Sequence, residues 1–510
     1  MIRALTAEQV RAVEARAVAE QGVELATLMR AAGAAVAAQV AARDEHGSVF
    51  VLAGSGNNAG DGWIAAHDLH AQGRAVRVLT TRNPRDLKGI AAEAAKGAMV
   101  AGVHWRVPTA PLSAEDLHGG DVIVDALLGI GSSGALREPL DSWVRAANES
   151  GAYVIAVDVP TGIDADKGAV LGDAIRADCT VTFTAPKCGL LLFPAAAYAG
   201  EVVVADVGIE PRFVAELAEA PEVWTAEEYA ALLPLPAADT HKNARGRVLV
   251  IAGSGQFPGA AVLATRGAMR SGAGYVTLAV PDGVVATAQA HLLAAPVVGL
   301  PQGRTHAFSS AAADKAIALA REFDAVVLGP GLTMADGAAA TAREIVSRLD
   351  RPLVIDADAL NALVDAHELV ERRRQPTIIT PHPGELARLL GTTAADVQAD
   401  RVSSSAKLAG PGRVVVLKGA GTVTSGDGRQ VINTSGSPAL ATAGTGDVLA
   451  GVIGGLLAQG LSAFDAAALG AYLHGRAGEA AAADLTPLCV TSEDVPEYLP
   501  VAAAELLGSW

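Results

Sequence analysis

The chain has 510 residues, 51% of them apolar and 18% charged, with 39 Lys+Arg against 55 Asp+Glu for a net charge of −16. That length supports two or three domains with sizeable cores, and a negative balance argues against general affinity for nucleic acid or anionic membranes, whose phosphates require clustered positive charge. A local anion site made of backbone N–H groups stays open, and 55 Gly beside 8 Phe, 6 Tyr and 5 Trp predict tight turns and close backbone approaches.

Cys179, Cys188 and Cys489 form no CxxC pair, which points to a reducing compartment rather than a disulfide framework or a thiolate zinc site. Arg3, Glu8, Arg11 and Glu14 break up the N-terminus, so it does not read as a signal peptide. The longest apolar runs, 188–200 (interrupted by Pro194) and 448–458, are too short to cross roughly 30 Å of hydrocarbon. A soluble, cytoplasmic protein is expected.

Leu25, Leu28, Met29, Ala32 and Val36 recur at helical spacing and predict an opening amphipathic helix. Strand-like β-branched runs follow at 49–52, 75–79, 122–124, 153–157, 180–183 and 202–204, with Ala-rich helical stretches between the earlier ones. Near-continuous apolar strands alternating with helices predict an α/β fold, a mainly parallel sheet with helices on both faces. Pro211, Pro221, Pro234 and Pro236 then punctuate a stretch without strand signals, which reads as a linker near 209–236. The alternation restarts at 248–252, 275–280, 325–328, 353–355, 377–379 and 414–417, and ends in Ala-rich helices from Val448 onward. Two domains, 1–215 and 225–510, fit this pattern better than three.

In the first domain a strand runs into Gly54-Ser55-Gly56-Asn57-Asn58-Ala59-Gly60-Asp61-Gly62, read as a Gly-rich loop that can turn N–H groups toward a phosphate. A bare Gly-rich loop is more often only a tight turn, but two Asn and an Asp beside four glycines favour a polar ligand. Asp125 closes another strand and leads into Gly129-Ile130-Gly131-Ser132-Ser133-Gly134, which fits GxGxxG. No acidic residue follows at the distance a dinucleotide fingerprint needs, so a conventional NAD redox fold is not expected. Asp158 and Thr161 sit at the next strand end. Each alone could be a turn cap, but Asn58, Asp125 and Asp158/Thr161 at successive strand ends suit a hard cation, and one carboxylate with neutral oxygens suits a monovalent one.

In the second domain Gly253-Ser254-Gly255 and Gly329-Pro330-Gly331 each follow a strand, and His382 stands between Pro381 and Pro383, whose rigid backbone fixes its ring. Lys418-Gly419-Ala420-Gly421-Thr422 pairs an ammonium with bare N–H groups and suits a nucleotide phosphate, although the P-loop order is absent. Ala443-Gly444-Thr445-Gly446-Asp447 opens a helix. Gly444 and Gly446 would form an anion hole there, and Asp447 can orient or deprotonate an attacking hydroxyl.

Residues 1–210 resemble the NAD(P)H-hydrate epimerase domain through Leu28-Met29-Arg30-Ala31-Ala32-Gly33, 57–62, 125–129 and Asp158-Val159-Pro160-Thr161-Gly162. The resemblance implies that Asn57, Asn58, Ala59, Gly60 and Asp61, with Gly129, Ile130, Gly131, Ser132, Ser133, Gly134 and Ala135, hold the hydrated nucleotide. It also implies a potassium ion (K+) on Asn58, Asp125 and Thr161, and Asp158 as the catalytic acid/base touching substrate. Ala59 stands where Gly is common in that family and Thr161 where Ser is common. The hydroxyl is kept, so the ion site should survive.

Residues 225–510 resemble the ribokinase-like superfamily, and within it the ADP-dependent NAD(P)H-hydrate dehydratases, through 248–254, Gly329-Pro330-Gly331-Leu332, Pro381-His382-Pro383-Gly384-Glu385, 418–422 and 433–447. This implies substrate contacts from Ala260, Gly331, His382 and Asp447, with Gly259 or Ala261 as alternatives to Ala260. It further implies adenine-nucleotide contacts from Lys418, Gly419, Ala420, Gly421, Thr422 and Gly446, and Mg2+ for the phosphates. Together the resemblances imply a Rossmann-like domain fused to a ribokinase-like one, an isomerase and a lyase repairing hydrated NADH and NADPH with ADP. Small-molecule partners, no nucleic acid or membrane, and a homo-oligomer are expected. The rival is a small-alcohol kinase of vitamin or thiazole precursors with an accessory Rossmann-like domain, which needs neither His382 nor the first domain's ligand set. A binding-only scaffold would be expected to lose Asn58, Asp125 and Asp158.

Overall fold

The computed structural model describes residues 2–43, 47–132, 134–335 and 337–508. They form two compact units, Ile2–Pro221 and Glu222 onward.

The first unit is built on a seven-stranded sheet with the spatial order His104–Arg106, Val76–Thr80, Val49–Ala53, Val122–Ala126, Tyr153–Val157, Cys179–Phe183, Glu201–Ala205. All neighbours run parallel. In chain order that is third, second, first, fourth, fifth, sixth, seventh. The order reverses between the first and fourth strands, and open α/β sheets leave their ligand crevice at such a point. Alternation sets both cores: Val49, Val51 and Ala53 face one cluster with Trp63, while Phe50 and Leu52 face another with Trp143. The chain opens on the helix Ala7–Arg16, which the sequence did not announce, and the helix expected to open it is Leu25–Arg43. It is long and apolar enough to cross a membrane by length and composition, but Leu28, Ala32, Val36, Ala37 and Val40 lie in the core of this unit.

The second unit repeats the plan. Its parallel strands lie in the order Val297–Leu300, Tyr275–Pro281, Arg247–Ile251, Ala325–Leu328, Leu353–Ile355, Thr377–Ile379, Arg413–Leu417, again third, second, first, then fourth to seventh. Val248 and Val250 face one core, Leu249 and Ile251 the other. Beyond Arg413–Leu417 the sheet continues antiparallel through Val423–Gly426 and Arg429–Ile432.

Sequence expectations change at several points, and the edge strands His104–Arg106 and Val297–Leu300 were not among the expected runs. The stretch read as a linker without strands holds a short strand, Glu222–Val223, and a helix, Ala226–Ala230. Trp224 and Tyr229 bury themselves there in an edge-to-face pair, and the Glu222 carboxylate receives both Trp224 Nε1 and the Arg429 guanidinium. The prolines mark turns, and packing of the aromatics overrides them. The hairpin of Val423–Gly426 and Arg429–Ile432 was also missed. Its signal was present in Asp427-Gly428, both at positive φ (50° and 74°), the pair a tight hairpin turn requires.

The abundance of glycine finds a direct use where the helix Thr445–Ala458 crosses Pro258–Arg270. A Cβ on Gly451 would lie 1.9 Å from the Ala264 carbonyl oxygen, one on Gly455 1.9 Å from Ser271 Oγ, and one on Gly267 2.3 Å from the Val448 oxygen. The two backbones touch with no side chain between them, and this contact sets where the start of Thr445–Ala458 points. Gly451→Ala is therefore expected to lose about 1–3 kcal/mol from forced separation. Urea unfolding of the variant checks this.

Candidate functional site

In the first unit the loop after Val49–Ala53 is shorter than the sequence suggests. Gly56 is the N-cap and the helix begins at Asn57, so Asn57, Asn58, Ala59, Gly60 and Asp61 are its first residues. The glycines are accounted for largely by packing rather than by a ligand. A Cβ on Gly54 would meet the Leu127 oxygen at 2.0 Å, on Gly60 the Met29 Cε at 2.6 Å, and on Gly62 the Ala126 Cβ at 2.5 Å, whereas Gly56 is open.

The strand ends do converge. Asp125 is fully buried and accepts from Thr161 N (2.8 Å), Thr161 Oγ1 (2.8 Å) and Leu127 N (3.2 Å). Thr161 Oγ1 in turn accepts from Leu128 N at 3.1 Å, and Asn58 Nδ2 donates to Leu128 O at 2.9 Å. Asn58, Asp125 and Thr161 thus share one network. Burial pushes Asp125 up to about 6, against the three hydrogen bonds that favour its charge. Among the described residues no cationic side chain pairs with it, so a monovalent cation would supply the missing countercharge.

Asp158 lies at the end of Tyr153–Val157 with φ 66°, a conformation most residues avoid. Its Oδ1 accepts from Thr182 Oγ1 at 3.2 Å and from Lys187 Nζ. Lys187 is fully buried and also donates to Thr182 Oγ1 (2.9 Å) and Phe183 O (3.0 Å). Lys187 escaped the sequence reading because Pro186-Lys187 looks like an ordinary turn; a lysine just past an apolar strand was the available signal. Burial, then the Asp158 and Glu14 charges, push Asp61 well above the carboxylate range, with Lys187 opposing.

Beside these groups lies a cavity of about 460 Å³ that Ser132, Gly134 and Ala135 line, together with Arg82 and Arg137, which the sequence reading did not single out. Leu127, Leu128 and Gly162, chain neighbours of Asp125 and Thr161, also line it, whereas Asn57–Asp61, Gly129, Ile130, Gly131 and Asp158 do not. Ser133 lies outside the described residues.

In the second unit the end of Arg413–Leu417 delivers Lys418, whose Nζ stands 2.7 Å from Asp356 Oδ1 and 3.9 Å from Glu385 Oε2. Burial alone would lower Lys418, but Asp356 and Glu385 outweigh it and raise it. Asp356 also accepts from Thr380 Oγ1 at 2.7 Å. The loop 418–422 is fixed from below by Arg401, a residue the motifs did not flag: its guanidinium donates to Leu417 O (2.8 Å), Lys418 O (3.1 Å) and Gly421 O (3.2 Å). Thr422 Oγ1 closes the loop onto Gly419 O at 2.8 Å, leaving Gly419 and Ala420 exposed.

Asp447 stands in the first turn of Thr445–Ala458, but the N-cap is Gly444, in the left-handed region, with no side-chain cap bond. Asp447 is therefore not there to cap. Burial, then Asp356, pushes it up to about 7, with Lys418 opposing. A Cβ on Gly446 would sit 3.2 Å from Lys418 Nζ, so Lys418 and the helix start face each other. His474 Nε2 donates to Thr445 O at 2.9 Å and burial lowers it to about 4, so it braces the helix start as a neutral ring. His382 caps Pro383–Leu390: Nδ1 accepts from Gly384 N (3.0 Å) and Glu385 N (3.4 Å), which leaves Nε2 carrying the proton. Ala260 Cβ lies 2.8 Å from where a Gly331 Cβ would be, while Gly259 is open and Ala261 is core.

Lys418→Met would strand Asp356 without its cation and is expected to cost about 3–5 kcal/mol of stability at neutral pH. Thermal unfolding measures it, and a change within error would place the pair outside the stabilising framework.

The chain matches the family model described as NAD(P)H-hydrate dehydratase over residues 248–501 and the one described as YjeF-related protein N-terminus over residues 25–189. It is 39% identical to the bifunctional NAD(P)H-hydrate repair enzyme of Salinibacter ruber, over 99% of this chain and 96% of that protein. It is 38% identical to that of Moorella thermoacetica, over 90% of this chain and 88% of that protein. Among solved structures, the ADP/ATP-dependent NAD(P)H-hydrate dehydratase of Bacillus subtilis, crystallised with ATP/Mg2+, is 32% identical over 56% of this chain and 99% of its own, with a TM-score of 0.49.

Proposed function

The chain belongs to the family of bifunctional NAD(P)H-hydrate repair enzymes, and from that premise we propose how its residues divide the repair. One activity interconverts the R and S hydrates of NADH and NADPH, and the other dehydrates the S hydrate with a nucleotide co-substrate. The epimerase is assigned to 1–215 and the dehydratase to 225–510, ADP being the phosphoryl donor and AMP and phosphate the products.

One observation carries the dehydratase assignment. Asp447 is a half-buried carboxyl poised at about 7, at a glycine-opened helix start that faces Lys418. A general base works best with its pKa near the working pH. Asp447 takes the proton of the ring hydroxyl as that oxygen accepts the phosphoryl group. The N–H groups at Gly444 and Gly446, with Lys418, hold the phosphoryl charge that develops. The ring nitrogen then expels phosphate, a far better leaving group than hydroxide, and loss of a proton from the neighbouring carbon restores the double bond. His382, through Nε2–H, together with Ala260 and Gly331, would seat the nicotinamide nucleotide. Among the described residues no three His, Cys, Asp or Glu side chains form a metal site by themselves. That fits Mg2+ arriving on the nucleotide phosphates and needing only one or two carboxylates; Asp356 and Glu385 are the nearest to Lys418.

In the first unit Asp158 acts as acid/base while the hydroxyl carbon loses and regains its configuration. The cavity that Ser132, Gly134 and Ala135 line would take the nucleotide, and Arg82 and Arg137 would meet its phosphates. Asn58, Asp125 and Thr161 would hold K+, which would neutralise the buried Asp125 and order the loop at Leu128.

A base must be ionised to act, so kcat/KM for ADP-dependent repair should be full above pH 7 and fall as pH drops through about 7. Asp447→Asn should lose about 100-fold or more in that rate. Because a carboxylate whose folded pKa is raised costs stability above its unfolded pKa, the same variant should hold or raise Tm at pH 8. Recovery of reduced-nicotinamide absorbance from S-hydrated NADH reads the activity. An Asp447→Asn protein that repairs at the wild-type rate, or a wild-type protein idle with both ADP and ATP, would sink the assignment.

A further inference from the structure

Lys187 has no part in the reaction as described so far, yet it is among the largest fully buried side chains of the protein. A buried ammonium is stable only where anions and acceptors surround it. Lys187 has three partners: Asp158 Oδ1, Thr182 Oγ1 and Phe183 O. Its backbone is pinned on both sides, by Leu5 N donating to Pro186 O (2.9 Å) and Cys188 N donating to Leu5 O (3.0 Å). Both Thr182 and Lys187 engage Oδ1 of Asp158, and no described residue engages Oδ2. The other charged groups that act on this corner are Asp61, at the start of its helix, and Glu14 with Arg11, on the helix Ala7–Arg16.

We infer that Lys187 is a positioning residue of the epimerase site: it holds Asp158 as a carboxylate with Oδ2 free, so that epimerisation begins by removal of the hydroxyl proton and proceeds through an opened ring. This rests on the epimerase reading of the first unit. Oδ2 takes the hydroxyl proton and the oxygen forms a C=O bond. The C–N bond breaks with its electron pair going to the ring nitrogen, which takes the proton back from Asp158. Rotation about the neighbouring C–C bond presents the other carbonyl face. The nitrogen then attacks that face, passes its proton through Asp158 to the oxygen, and closes the ring with inverted configuration. No bond to the ring oxygen breaks. The competing route expels the hydroxyl as water and adds a new water, and must begin with an acid, which an ammonium-paired carboxylate is not.

The two routes differ in the fate of that oxygen. The full-length protein is incubated without ADP, with R-hydrated NADH in water enriched in heavy oxygen, and the S hydrate formed at early turnover is weighed by mass spectrometry. The expected result is an S hydrate that keeps its original oxygen. Incorporation of heavy oxygen at each epimerisation would overturn the inference and make Asp61, the other buried carboxyl of the corner, the initial proton donor. Lys187→Met should lower kcat about 100-fold or more with little change in KM. Combined with Asp158→Asn it should add no further loss, because both act through one group. A Lys187→Met protein with wild-type kcat, or losses that multiply, would also overturn it. A wild-type protein that repairs S hydrate with ADP but never equilibrates the epimers would remove the epimerase reading and this inference together.

Discussion

An aspartate placed at the dry end of a parallel sheet is costly unless a cation meets it there, and each unit of this protein meets that cost with one lysine. In the first, Asp158 after the fifth strand is met by Lys187 after the sixth. In the second, Asp356 after the fifth is met by Lys418 after the seventh. Removing either partner of such a pair leaves an uncompensated buried charge, so the loops that carry them are constrained as tightly as the cores. The candidate reactive groups then take their character from these pairs: Lys187 ties down one oxygen of Asp158, and Lys418 opposes the rise of Asp447 and Glu385.

The shared strand order opens a crevice at the equivalent point of each sheet. With the order third, second, first, fourth onward, the crevice opens between the first and fourth strands. Asn58 and Asp125 flank it in the first unit, Gly253 and Gly331 in the second. What differs is how the crevice is closed. The first unit uses buried polar networks around Asp125, whereas the second uses glycine-to-backbone contact between two helices to aim Gly446 and Asp447.

Much of this was legible in the residues themselves. Strands buried on both faces announced themselves as unbroken β-branched runs, and Asp125, Asp158, Lys418 and Asp447 stood out because each closes a strand or opens a helix. Lys187, Arg401, Arg82 and His474 did not, because their roles depend on elements far away in the chain: Arg401 matters only through the carbonyls of Leu417, Lys418 and Gly421. The glycines near Asn58 carry a second meaning that the sequence did not show. With two Asn and an Asp beside them they favoured a polar ligand, and Gly60 and Gly62 are also needed where the helix touches Met29 and Ala126. A single sequence shows that a side chain is absent, not what takes its place.

The net charge of −16 opposes binding of any polyanion, so the proposed activities would draw on local fields: Lys418 and the N–H groups of one helix start in the second unit, and Arg82 and Arg137 on the cavity of the first. The central claim is that two separate acid/base aspartates serve two separate steps. It is tested most directly by giving an equal mixture of R and S hydrated NADH, with ADP, to the wild type and to Asp158→Asn, and following the absorbance of reduced nicotinamide. Full recovery is expected with the wild type, and a fast half-recovery followed by only the slow spontaneous phase with the variant. Full recovery at the wild-type rate by Asp158→Asn would contradict it.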